Sequence, residues 1–260
     1  MLKLSAMHSD TLVIIPTYNE KENIEKIIRK VFSLPKAFDI LVVEDNSPDG
    51  TADIVEHLIS EEFAGRLFIE KRQGKLGLGT AYIHGFKWAL AEGCYDYIIE
   101  MDADFSHNPE DLQRLYDACA KDGADLSVGS RYVNGVVNVV NWPIGRVLMS
   151  YFASAYVRFV TGMKLGDATA GFVCYKSALL RNMDLNDVHF VGYAFQIEMK
   201  YTAYKLGYQL KEVSIVFTDR KEGTSKMSKK IFKEAFFGVI KLRFRHFHGQ
   251  YKGRPKKPVF

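Results

Sequence analysis

Cysteine is scarce in this chain, and so are long apolar runs. Its three cysteines, Cys94, Cys119 and Cys174, lie scattered among 260 residues, without metal-site spacing or an even count to pair. That excludes a small fold stapled by disulfides and leads us to expect a reducing compartment. No basic segment followed by an apolar one opens the sequence, so a cleaved signal is not expected. No uninterrupted apolar stretch reaches the roughly 18 residues of a spanning helix. The longest candidate, VLMSYFASAYV (147–157), is too short and lies between Arg146 and Arg158. His84, His107 and His189 lack metal-ligand spacing and read as structural. There is no internal repeat and no clear linker.

What is present is an ordinary globular composition, 47% apolar and 25% charged, enough for a sizeable core. The net charge of +4 hides an asymmetry. Residues 220–260 hold 13 basic and 2 acidic side chains, leaving 22 basic and 29 acidic ones elsewhere. A slightly acidic domain with a basic C-terminal region suggests an anionic surface as partner, a membrane or a nucleic acid.

The first half alternates strand and helix signals. TLVIIPT (11–17), DILVVED (39–45), RLFIEK (66–71), DYIIEMD (96–102) and ADLSVGS (124–130) read as strands. Helical patterns separate them at 20–32, 49–59, 79–91 and 108–120, the last opening on Asn-Pro. This rhythm predicts an α/β fold: a Rossmann-like, mostly parallel sheet with helices on both faces. Ligands of such sheets bind beyond the carboxyl ends of the strands.

The second half differs. The predicted helix 144–162 is apolar around most of its circumference. Its polar residues Arg146, Ser150, Ser154 and Arg158 recur every four positions as one narrow stripe. Near the C-terminus Ile231, Phe232, Ala235, Phe236, Val239 and Ile240 form an apolar face flanked by Lys229, Lys230, Lys233 and Lys241. A basic amphipathic helix of this kind can lie in a membrane interface. The expected division is an N-terminal extension (1–10), a catalytic domain (11–227), an amphipathic interface helix (228–247) and a basic disordered tail (248–260).

One stretch asks for chemistry. IIEMDADFSHNP (98–109) runs an apolar strand straight into acids. Asp102 and Asp104 are two residues apart, so on an extended backbone both point to one side. At a strand end they can converge on a hard cation, Mg²⁺ or Mn²⁺, that keeps waters and leans on substrate phosphates. The plainer alternative is that an acid here caps the next helix. Other strand ends carry candidates too. Tyr18 and Glu20 in IPTYNE suit a base and hydrogen bonds, and Asp45 in VVEDNSPDGT suits a base or ribose hydroxyl. Turn chemistry explains such residues equally well. KLGLGTAYIHG (75–85) is glycine-rich before a helix, with Lys75 at its start, and suits a phosphate. Arg131 in VGSRY follows a further strand.

In order, these motifs resemble the nucleotide-sugar glycosyltransferases of family 2, with a GT-A fold. MDADFSHNPEDL, KLGLGTAYIHG, GSRY, DATAGFVCYK and FTDRKEGTSK narrow the resemblance to the dolichol-phosphate (polyprenol-phosphate) mannose synthases. It runs from about Thr11 to about Phe237. The resemblance implies Asp102 and Asp104 as metal ligands, with Ser106 where some members have a third. It implies Pro16, Tyr18, Glu20, Asp45, Lys75, Gly79 and Ala103 around the nucleotide. Arg131 would face the diphosphate and acceptor phosphate, and Arg146 with Ser150 would grip the lipid phosphate. Arg220, Ser225 and Lys226 would belong to a loop over the donor. Gln196 and Glu198 would line the sugar site, and Asp167 would orient the acceptor or the sugar.

The implied reaction moves mannose from GDP-mannose to a polyprenyl or dolichyl phosphate, with inversion. A membrane surface is the implied partner, cytoplasmic face, with small membrane subunits anchoring some members of the family. Three other readings remain open at this point. One is the same fold with UDP-glucose as donor; another is a non-catalytic nucleotide-sugar-binding subunit. The third, nucleic-acid binding, is disfavoured because phenylalanines interleave the basic C-terminal residues on an apolar helix face.

Overall fold

The computed structural model describes residues 9–133, 136–192, 194–219 and 229–244. The first half builds five strands: β1 (Thr11–Thr17), β2 (Asp39–Glu44), β3 (Leu67–Lys71), β4 (Tyr97–Glu100) and β5 (Leu126–Ser130). Between them run α1 (Ile24–Phe32), α2 (Thr51–Glu61), α3 (Leu78–Glu92) and α4 (Leu112–Ala120). The short strands β6 (Tyr132–Val133), β7 (Val136–Val137) and β8 (Val139–Val140) follow, then α5 (Ile144–Thr161). The chain continues with β9 (Val173–Lys176), α6 (Ser177–Arg181), α7 (Ala194–Lys205), β10 (Leu210–Ser214), β11 (Phe217–Thr218) and α8 (Lys229–Phe244).

The main sheet has seven strands in the order β10-β5-β9-β4-β1-β2-β3. Every neighbouring pair is parallel except the two made by β9, which runs against both β4 and β5. The strands are apolar on both sides because both sides are covered. Leu12, Ile14, Leu41 and Val43 face α3, α6 and α7. Val13, Ile15, Ile40 and Val42 face α1, α2 and α4. Each such buried aliphatic side chain stabilises the fold by about 1.5–3 kcal/mol. A third cluster joins Val157 of α5, Ile197 and Tyr201 of α7, and Val239 and Leu242 of α8.

Helix α5 is turned opposite to an ordinary surface helix. Its polar stripe points inward: Ser154 is buried and meets the Thr169 hydroxyl at 3.3 Å, and Arg158 donates to the Gly166 carbonyl at 3.4 Å. Apart from Val157, its large apolar side chains are at least partly exposed, with Ile144 74%, Phe152 63% and Phe159 89% exposed. The face expected on α8 splits. Val239 is buried, whereas Phe236, which stacks on Tyr156 at 4.6 Å, and Ile240 are exposed; Phe237 and Phe244, outside that face, are exposed as well. Helices α5 and α8 thus pack on each other and each carries exposed apolar side chains. Among the described residues no helix is long and apolar enough to cross a membrane.

Candidate active site

The site forms at the carboxyl ends of β4, β1, β2 and β5, where a parallel sheet leaves its backbone groups pointing into a crevice. Beyond β4 the burial alternates: Met101 and Ala103 point inward, Asp102 and Asp104 toward the crevice. The capping role is already filled, because the Asn108 side chain accepts from the Glu110 N–H at 3.2 Å. Asp104 instead accepts from the Ser106 N–H at 3.0 Å, and the chain reverses at Phe105 with φ +60°. A bulky residue in that left-handed region costs on the order of 1–3 kcal/mol and marks a site that the surroundings over-determine. His107 packs flat on Phe172 at 4.7 Å, and its Nδ1 accepts from the Asp102 N–H at 3.1 Å. Burial holds its pKa below the ordinary value, so the imidazole is neutral and fixes the Asp102 backbone.

The donor set here is all oxygen: two carboxylates, with the Ser106 hydroxyl nearby. Among the described residues no three His, Cys, Asp or Glu side chains gather as a metal site. Two carboxylates fit an ion of the Mg²⁺ or Mn²⁺ type, which fills its shell from water and substrate phosphate. They do not fit a structural zinc.

A cavity of about 440 Å³ lies between Asp102 and α5. Asp102, Ser106, Arg131, Arg146, Ser150 and Gln196 supply its polar wall; Met149, Phe152, Val157 and Ile197 are among its apolar lining. Six of the expected site residues therefore converge on one cavity, from the ends of β4 and β5 and from α5 and α7.

Arg131 is the most firmly held of them. Its Nε and Nη2 donate to Asp167 at 2.6 and 2.7 Å, and its backbone N–H donates to the same carboxylate at 3.0 Å. Nη2 also reaches the Thr169 hydroxyl at 3.0 Å. Burial alone would raise the Asp167 carboxyl, but the Arg131 charge and hydrogen bonds outweigh it and hold it below its usual range. Asp167 is wholly buried, so it orients Arg131 and does not face the sugar or acceptor as expected. Glu212 anchors this turn by accepting from the Gly166 and Asp167 N–H groups at 2.7 and 2.9 Å.

Behind the cavity lies a buried polar network. Gln196 donates to Glu100 at 2.7 Å, and Lys200 donates to the Ala170 carbonyl at 2.5 Å and to Gln196 at 3.4 Å. Burial pushes the Glu100 carboxyl up to about 8 and the Lys200 ammonium down to about 8. Glu198, expected beside Gln196 at the sugar site, instead accepts from the His189 and Phe190 N–H groups at 2.9 and 3.0 Å. It braces the loop before α7.

On the β1–β2 side, Tyr18 carries the Lys75 ammonium over its ring at 4.9 Å. Pro16, the last residue but one of β1, lies opposite Val43, and Glu20 accepts from Asn23 at 3.1 Å. Asp45 is engaged by Arg72 at 2.6 Å, and Arg72 also donates to Thr80 at 2.8 Å. Arg72 escaped notice in the sequence because nothing marks the partner of a strand-end aspartate. Gly79 is required by packing, since a Cβ there would meet the Phe190 carbonyl at 2.8 Å and Phe195 at 2.9 Å. Its N–H donates to the Val191 carbonyl at 2.9 Å, so a phosphate is not what it serves. Trp142, also overlooked, lies under the Arg146 guanidinium at 4.1 Å. Arg220, Ser225 and Lys226 lie outside the described residues.

A family model described as Glycosyl transferase family 2 matches residues 12–188. The chain belongs to glycosyl transferase family 2. Within this family it is 45% identical over 235 residues to the polyprenol monophosphomannose synthase of Mycolicibacterium smegmatis, covering 90% of this chain and 87% of that one. It is 43% identical over 230 residues to the undecaprenyl-phosphate mannosyltransferase of Micrococcus luteus, covering 88% and 92%. Among solved structures, glucosyl-3-phosphoglycerate synthase of Mycobacterium tuberculosis with Mn²⁺, UDP and phosphoglyceric acid aligns with a TM-score of 0.63 at 17% identity, covering 91% and 78%. A mannosyltransferase of Pyrobaculum calidifontis with GDP-Man and Mn²⁺ aligns at 0.55 and 17% identity, covering 91% and 70%. At such identities the likeness is one of fold, and it is the GT-A fold of family 2.

Proposed function

We propose that this protein is a polyprenyl-phosphate mannosyltransferase that uses GDP-mannose. The observation that carries this is the cavity, whose wall combines Asp102, the cations Arg131 and Arg146, and apolar side chains of α5, α7 and α8. The mannosyl relatives support the transferred sugar and the lipid-phosphate acceptor.

The chemistry needs little from the protein beyond placement and charge. A phosphate oxygen of the acceptor, ionised at neutral pH, attacks the anomeric carbon of mannose. The bond from that carbon to the diphosphate oxygen breaks, GDP leaves with the electron pair, and the configuration inverts to β. No proton has to be removed from the nucleophile, which agrees with a neutral, buried His107 as the histidine nearest the acids. Asp102 and Asp104 would hold Mg²⁺ or Mn²⁺, which supplies positive charge for the departing diphosphate. Arg146 offers a planar fork that bonds two phosphate oxygens at once, and Arg131, whose own fork is held by Asp167, would add a fixed guanidinium beside it. Locked by Asp167, Arg131 cannot drift, so its charge is preorganised rather than recruited. Tyr18, Lys75 and the Asp45–Arg72 pair form the nucleotide end.

The outward apolar side chains of α5 and α8 suit docking on a bilayer, where the lipid tail stays while its phosphate enters the cavity. Lysines near such a surface add about 1 kcal/mol of attraction each if the lipids are anionic.

The test is transfer of labelled mannose from GDP-mannose to a short polyprenyl phosphate in detergent, with Mg²⁺ or Mn²⁺, beside UDP-glucose. Label in the lipid phase, lost in Asp104→Ala, is the expected result. Transfer from UDP-glucose alone would discard the sugar. Transfer from neither would discard the acceptor.

A further inference from the structure

Arg146 is already holding an anion. Its Nη1 donates to Asp219 at 2.8 Å, across 73 positions of sequence. The fold brings the pair together through a small strand pairing, β11 on β8, with the Asp219 N–H donating to the Val140 carbonyl at 3.2 Å. The guanidinium itself is held from beneath by Trp142. An arginine stacked on an aromatic ring keeps its plane whether or not a carboxylate is present. Trp142 Nε1 is screened from solvent and has no hydrogen-bond partner, although Trp142 lines the cavity. A buried donor without a partner is costly and marks a place where an acceptor is missing. Both partners of the ion pair remain partly exposed, Arg146 by 36% and Asp219 by 29%, so an incoming anion can reach them.

We propose that Asp219 is a place-holder for the acceptor phosphate: its carboxylate occupies Arg146 until a phosphate displaces it. This deepens the acceptor assignment above and rests on it. The exchange is one anion for another on the same fork. It keeps Arg146 poised, makes weak anions poor competitors, and sets the acceptor affinity below what Arg146 and Ser150 would reach alone. Asp219 is thus a specificity-determining residue and not a catalytic one.

Thermal-shift titration with inorganic phosphate reads the exchange without turnover. Phosphate should bind about threefold more tightly to Asp219→Ala than to the wild type, the size expected for loss of a half-exposed ion pair. Asp219→Asn, which keeps the shape, should move in the same direction by less. Arg146→Ala should abolish the difference between the two. In steady-state transfer the KM for polyprenyl phosphate should fall by a similar factor, with the KM for GDP-mannose unchanged. If phosphate binds the Asp219 variants no better, or worse, with their melting temperature at the wild-type value, Asp219 supports Arg146 and the proposal is wrong. A wild type that transfers nothing to the lipid while phosphate still binds Asp219→Ala more tightly would refute the acceptor assignment and leave the exchange standing.

Discussion

Arg131 and Asp167 form a three-point lock: two guanidinium nitrogens and one backbone N–H converge on a single carboxylate, with Asp167 fully buried. Breaking a buried pair from one side leaves an uncompensated charge and costs about 3–5 kcal/mol. Asp167→Ala should therefore lose stability of that order, read as a lowered melting temperature. Arg131→Lys keeps the charge but not the fork. It should stay folded and lose about tenfold or more in kcat/KM. An Arg131→Lys protein with wild-type kinetics would remove Arg131 from the site.

The metal assignment has its own test. Asp102→Asn and Asp104→Asn should each fold normally, since both side chains are partly exposed and not in the core. Each should reduce kcat by about 10²-fold or more, the scale of losing one preorganised electrostatic element. A chelator should abolish wild-type transfer, and Mn²⁺ or Mg²⁺ should restore it. Activity that survives exhaustive chelation would overturn the assignment.

Lys200 predicts a pH signature. Burial brings its ammonium down to about 8, while an unfolded lysine titrates at about 10.4. Between these values the unfolded chain binds more protons than the native one, so stability rises with pH across that window. Below it the cost of the buried charge is fully present. Lys200→Met has no such proton to release, so its melting temperature should climb less than the wild type's between about pH 8 and about pH 10. Equal slopes would show that another group titrates there.

The apolar faces predict a separation of membrane and active site. Phe159→Glu with Phe237→Glu places charges on two of the most exposed aromatic side chains of α5 and α8. Sedimentation with anionic vesicles should fall severalfold, as should transfer to a long acceptor in a bilayer. Transfer to a short acceptor in detergent should remain near wild type. Equal loss in both assays would mean that these residues serve the fold.

Gly79→Ala should destabilise the protein by about 1–3 kcal/mol, because a Cβ would press on Phe190 and Phe195. A melting temperature unchanged from the wild type would contradict the packing described here.

Much of this was legible in the residues. The strands of the first half announce themselves because a doubly covered strand is apolar throughout, and their order in the chain forces a parallel sheet. The acids after β4 stand out because they interrupt such a strand. The four-residue stripe on α5 was readable, but not its inward direction, since periodicity is blind to which face a neighbour covers. The Arg131–Asp167 lock joins residues 36 positions apart, and Asp45 and Arg72 are 27 apart. No local pattern encodes such partners. Glu198 and Asp167 looked like substrate ligands because an acid near a motif reads the same whether it faces a sugar or a backbone N–H.

The reversal of β9 has a consequence for how this site is assembled. Strands β5 and β9 are antiparallel neighbours in the sheet. The chain leaves the sheet at the end of β5 and returns to it beside β5 as β9, and the excursion between them, residues 131–172, carries β6, β7, β8 and α5. Trp142, Arg146, Ser150, Asp167 and Thr169 all lie within that one excursion. The proposed acceptor end is thus a cassette clamped at both ends by adjacent strands, while the nucleotide end is spread over the loops of the first half. Such a cassette can be exchanged for another without reordering a single strand of the sheet.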